Sequence, residues 1–145
     1  MDIPHDTWIV VADGEKFLLL RNEGDEEYPN FQVITHHEVP NPPTREQGTG
    51  QPGRFDDVGV GKSAVEQTDW HWLGKERFAK DLAEKLHDWA YRKRFGKLIV
   101  VAAPKILGVL RPNYHEEVQR RLLGEVDKDL SNHTVRKMEQ ILKES

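Results

Sequence analysis

The run from Leu98 to Leu142, LIVVAAPKILGVLRPNYHEEVQRRLLGEVDKDLSNHTVRKMEQIL, constrains the fold more than any other part of the chain. Lys97 to Ala103 is apolar almost without a break, which suits a strand covered on both faces, because a half-exposed strand would alternate. Pro104 fits the first turn of a helix holding Ile106, Leu107 and Leu110, where its missing N–H has no intrahelical partner to lose. Pro112 ends that helix. Asn113, three residues before Glu116, is placed to cap the next helix, which buries Tyr114, Val118 and Leu122. Leu123 to Leu130 then returns as a strand ending in acids, and a last helix shows Val135, Met138, Ile141 and Leu142 behind a cap within residues 132–134.

The segments before it follow the same logic. Thr7 to Ala12 reads as a buried strand, Asp13-Gly14 as a tight two-residue turn, and Lys16 to Asn22 as its hairpin partner. Phe31 to Val39 alternates Phe31, Val33, Thr35, His37 and Val39 on one side with Gln32, Ile34, His36 and Glu38 on the other, the pattern of a third antiparallel strand. Phe78, Leu82, Leu86 and Trp89 recur at helical spacing, flanked by Ala79, Ala83 and Ala90, so a long amphipathic helix ends near Arg94, with Gly96 as its stop. Between the third strand and this helix lies a Gly/Pro-rich polar stretch, residues 40–69, with too few apolar residues to order itself. The expectation is a single α/β domain over residues 1–145: an antiparallel β-meander followed by βαβαβα, giving a mixed five-stranded sheet of ribonuclease H-like topology. A connection this long is uncommon in a compact domain and is the natural place to look for function.

Composition removes several classes. Of 145 residues, 37% are hydrophobic and 32% charged, ordinary for a globular domain. The net charge of −4 argues against attraction of the whole surface to nucleic acid and confines any such contact to a local basic patch. With no cysteine, disulfides, thiolate metal sites and cysteine nucleophiles are excluded. The N-terminal MDIPHDTW has neither the basic start nor the apolar core of a signal peptide, and no window suits a membrane span, so a cytoplasmic location is expected.

Each chemically suggestive motif has an ordinary reading beside it. Gly59-Val60-Gly61-Lys62-Ser63 imitates the end of a phosphate-binding loop, but Asp56 stands where that motif needs glycine and no buried strand precedes it. Asp13, with Asp127 and Asp129, invites a two-metal nuclease reading; the central strand ends in Val101-Ala102-Ala103 and offers no carboxylate, and Asp13-Gly14 is accounted for as turn chemistry. His36 and His37 point to opposite faces of a strand, and His71 has no histidine at helical spacing, so no metal site and no cofactor is expected. Trp70 and Trp72 suit either an interface or a packed loop end. Arg92-Lys93-Arg94 is the densest basic cluster, set in a helix whose other cations alternate with acids. In the polar stretch, Gly50, Gln51 and Arg54 offer a backbone donor, a side chain able to orient water and a phosphate-binding cation.

Three ordered pieces carry a family resemblance: Asp69-Trp70-His71 entering a helix with Glu76-Arg77-Phe78-Ala79, then Leu98 to Pro104 with Leu107-Gly108 and Leu110-Arg111, then Gly124-Glu125-Val126-Asp127-Lys128-Asp129-Leu130 with His133. Together, across Trp8 to Leu142, they resemble the bacterial host attachment protein family, proteins required for attachment to host cells. That family is in turn similar to the middle domain of archaeal and eukaryotic peptide-release factors, where a Gly-Gly-Gln loop between the third strand and the long helix promotes hydrolysis of peptidyl-tRNA. Here the corresponding stretch holds Gly50-Gln51, with Thr49 in place of the first glycine, followed by Pro52-Gly53-Arg54.

The resemblance implies a non-enzymatic protein with an indirect role in host attachment. Its alternative is a ribosome- or RNA-associated module working in translation termination or rescue through residues 48–54 and Arg92-Lys93-Arg94. A hydrolase of tRNA-linked or phosphate esters, with Gln51 and Arg54 as catalytic candidates, is the third reading. Binding residues on these readings are Gly50, Gln51, Arg54, Trp70, Trp72, Arg92, Lys93 and Arg94.

Overall fold

In a computed structural model, which describes residues 1–39 and 60–145 and, for 60–70, the backbone alone, five strands form one sheet in the order β3-β2-β1-β4-β5. They are β1 (Trp8–Ala12), β2 (Lys16–Asn22), β3 (Phe31–Glu38), β4 (Leu98–Ala102) and β5 (Leu122–Val126). β1, β2 and β3 pair antiparallel, whereas β1–β4 and β4–β5 pair parallel, as crossover connections require. The α/β class and the mixed five-stranded sheet are therefore as expected.

β1 and β4 lie in the middle of the sheet and are buried along their whole length, which is why WIVVA and LIVVA are apolar on both faces. Alternate residues feed two cores. Trp8, Val10, Ala12, Leu98, Val100 and Ala102 face α1 (Val60–Tyr91), α2 (Pro104–Leu110) and α3 (Glu116–Arg121). Ile9, Val11, Ile99 and Val101 face α4 (Val135–Glu144), which contributes Met138 and Leu142. The stripe read from sequence on α1 is the one buried: Phe78, Ala79, Leu82, Ala83, Leu86 and Ala90, with Trp89 packed at its margin. Pro104 occupies the first turn of α2, and the Thr134 hydroxyl caps α4 by accepting from Lys137 N at 3.2 Å.

Several boundaries differ from expectation. α1 starts at Val60, so residues 60–69, expected in the polar connection, are helical; two nearby glycines mask Lys62, Ala64, Glu66 and Gln67, all residues that favour helix. Asn113 does not cap α3: it closes a 3₁₀ turn (Arg111–Asn113) and donates from Nδ2 to Val109 O at 2.7 Å, leaving His115 at the cap position. β5 stops at Val126, short of Leu130, which is buried beyond the strand. In β3 the register slips opposite Leu19/Leu20, where Thr35 and Val33 are the successive partners and Ile34 is passed over. One extra residue reverses the alternation, so Phe31 joins the α4 core whereas the His37 ring lies against Phe17 and Phe78 on the α1 side.

Candidate functional site

The carboxyl ends of β1, β3, β4 and β5 share one side of the sheet, and from there residue 39 leaves and α1 returns. This end is tied together by local polar contacts. One carboxylate oxygen of Asp13 accepts from the N–H of Gly14, Glu15 and Lys16 at 2.7, 2.7 and 2.9 Å, so Asp13 serves its turn. A Cβ at Gly14 would lie 2.6 Å from Lys75 Cγ, and this close approach lets the turn seat against α1. Glu15 pairs with His71 at 3.4 Å, and Lys16 reaches Asn132 at 2.9 Å. Val39 N donates to Glu15 O at 2.7 Å, fixing the point where the chain departs.

Glu125 of β5 and Asp129 beyond its end are similarly engaged. Glu125 accepts from Arg111 Nε at 2.7 Å and from the Tyr114 hydroxyl at 3.1 Å, and burial together with the Glu125 charge pushes the phenol far above its usual range. Asp129 accepts from Ser131 N and Oγ, and among the described residues no three His, Asp or Glu side chains converge as metal ligands.

Gly50, Gln51 and Arg54 lie outside the described residues, as does the side chain of Trp70. Trp72 packs at the margin of the α1 core, with Lys105 Nζ 5.8 Å from its ring centroid.

Arg92, Lys93 and Arg94 lie at the other end of the sheet, roughly 30 Å along α1 from His71. Arg94 N donates to Trp89 O at 2.9 Å and Lys93 N to Ala90 O at 3.0 Å, the paired bonds of a Schellman cap, with Lys93 in the left-handed position at φ 58°. Gly96, the expected stop, adopts no such conformation, and a side chain there would meet nothing within 4 Å. A lysine in this conformation costs roughly 1 kcal/mol relative to glycine. Arg92 pairs with Asp88 at 3.2 Å and points away, whereas Lys93 and Arg94 line a recess of about 380 Å³ with Arg21, Arg121 and Asp6. Trp8 and Phe95, with ring centroids 5.0 Å apart, back it.

Arg21 and Arg121 escaped the sequence reading because topology alone brings them there. Each is held by a carboxylate: Arg21 Nη2 donates to Glu23 at 2.6 Å, and Arg121 donates to Glu117 at 2.7 Å and to Phe95 O at 3.0 Å. The Arg121 hydrogen bond is the first cause holding the Glu117 carboxyl below its ordinary value of 4.5. A depressed carboxyl stabilises the fold above its unfolded value and loses that contribution as pH falls through the folded one. Glu117→Gln is thus expected to lower the melting temperature at neutral pH, with the gap to the parent chain narrowing as pH falls below the carboxyl's ordinary value of 4.5; melting curves across pH check it, and a constant gap would refute the link.

A second cluster was also invisible in sequence. The rings of His87 and His115 stack at 3.9 Å between α1 and the start of α3, and His115 Nε2 lies 3.0 Å from Glu84. That hydrogen bond holds the Glu84 carboxyl below its ordinary value. The two histidines sit on separate elements, so no spacing rule joins them.

With this geometry, the comparison with known families is specific. Residues 6–142 match the model of Bacterial archaeo-eukaryotic release factor family 12, and the chain belongs to that family. The release-factor relationship implied by the sequence is thereby shown; the match carries no attachment name. No curated protein matches the chain. No described helix is long and apolar enough to cross a membrane.

Proposed function

We propose that the protein is an RNA- or ribosome-associated module of release-factor type, the alternative reading of its sequence, rather than an attachment protein. The observation that carries this is the family match across residues 6–142, which spans every described strand and all but the last two residues of the final helix. The basic cluster at Lys93 and Arg94 supports it, because a chain of net charge −4 needs a local patch to approach a polyanion. In this reading the cluster at the amino end of the sheet contacts RNA.

Ester hydrolysis through Gln51 and Arg54 is the finer proposal within this reading. An indirect role in attachment to host cells rests on the sequence resemblance alone. Cells separated into surface, soluble and ribosomal pools discriminate the readings: the protein is expected mainly in the ribosomal pool at low salt and in the soluble pool after a high-salt wash. Recovery in the surface pool would overturn the proposal.

A further inference from the structure

We propose that the recess at the amino end of the sheet seats the phosphodiester backbone of a single-stranded RNA segment, gripped by Lys93 and Arg94 between the tethered guanidinium groups of Arg21 and Arg121. This rests on the RNA-association reading and adds the place and the chemical group recognised.

Charge, backbone strain and pre-organisation converge on this spot. Lys93 and Arg94 are exposed and, among the described residues, without an ion-pair partner, although Glu117 stands near enough to feel the Lys93 charge. Arg21 and Arg121 are committed to Glu23 and Glu117, yet a guanidinium carries more donors than those bonds use. Their carboxylates hold the forks in place before a ligand arrives, so little side-chain freedom remains to be lost on binding. Asp6 faces Arg21 and leaves the recess only modestly positive, consistent with a site that reads one or two phosphates rather than a long duplex.

The backbone gives the independent observation. Among the described residues, the non-glycine residues at positive φ are Asp6, at 66°, and Lys93, at 58°, and both line this recess. Left-handed conformations of side-chain-bearing residues are costly and concentrate at functional sites. Glycine at position 93 would relieve the strain and complete the same helix cap, so the side chain is present in spite of the fold's preference.

Lys93→Gly therefore separates binding from folding. In the full chain it is expected to raise the melting temperature by about 2–3 °C. Binding of a fluorescein-labelled oligouridylate of roughly twelve nucleotides, followed by anisotropy, is expected to weaken about fivefold for Lys93→Gly and for Arg94→Ala. The slope of log K against log salt should shrink by about 0.7 for each. The same oligomer with an uncharged methylphosphonate backbone should not bind.

Unchanged affinity in both variants would overturn the inference, as would equal competition by an oligoglutamate peptide, which would make the recess a site for acidic protein. Competition by low-millimolar inorganic phosphate would replace the strand by small phosphate compounds and overturn the RNA assignment. A chain that fails to bind the oligomer but still co-sediments with ribosomes overturns the recess and leaves the release-factor reading standing. Oligomer binding without ribosome association does the reverse.

Discussion

Asn22→Ala is expected to destabilise the fold by about 3 kcal/mol, a melting-temperature loss of roughly 10 °C. The Asn22 side chain is completely buried at the end of β2 and is satisfied on both sides. Nδ2 donates to Ile3 O at 2.8 Å, Pro4 O at 3.4 Å and Asp25 O at 3.3 Å, while Oδ1 accepts from Gly24 N at 3.0 Å and Asn30 N at 2.9 Å. Truncation strands several backbone groups together, and each buried orphan costs about 1–3 kcal/mol, partly recovered where water can enter.

The consequence reaches the basic recess. The lost side-chain bonds to Ile3 O and Pro4 O hold the segment that presents Asp6 and leads into Trp8, whereas the backbone bonds from Asp6 N to Asn22 O at 2.8 Å and from Asn22 N to Thr7 O at 2.9 Å remain available to alanine. Denaturant titration checks the prediction, and a loss below about 1 kcal/mol would mean that the amino-terminal segment is held by other contacts.

How much of this was legible in the sequence depends on whether the determinant is local. β1 and β4 announce themselves because five consecutive apolar residues have no other comfortable home, and Phe78, Leu82 and Leu86 fix the buried face of α1 by spacing. The bulge at Ile34 was not legible: the strand alternates perfectly as written, and only its pairing with β2 shows that one residue is passed over. The start of α1 was obscured because Gly59 and Gly61 read as loop. Its end was misplaced for the opposite reason, since the rule that favours glycine after a helix pointed to Gly96 while Lys93 takes the left-handed position.

The site divides along the same line. Arg92-Lys93-Arg94 was visible as a cluster, but not that Arg92 turns to Asp88 while its neighbours face Arg21 and Arg121. Arg21 comes from β2 and Arg121 from the end of α3, and only the parallel placement of β1, β4 and β5 brings them to one end. The stacked His87 and His115 rings owe their meeting to the packing of α3 on α1. Such convergence is a property of topology, and pattern along the chain does not encode it.

The largest functional effect is expected from Arg92→Glu combined with Arg94→Glu. Arg94 lines the recess with no ion-pair partner among the described residues, and Arg92, though turned to Asp88, carries its charge at the same end of the sheet, so the pair of reversals replaces attraction to phosphate with repulsion. Neither side chain is part of the core, and the loss of the surface pair between Arg92 and Asp88 costs only about 0.5 kcal/mol, so the variant should fold. Co-sedimentation with ribosomes across rising salt is the most direct measurement of the central claim. The parent chain should pellet with ribosomes at about 50 mM salt and be released by about 300 mM, and the double variant, binding roughly 100-fold more weakly, should stay in the supernatant throughout. A double variant that pellets like the parent, or a parent chain that never pellets, would contradict it.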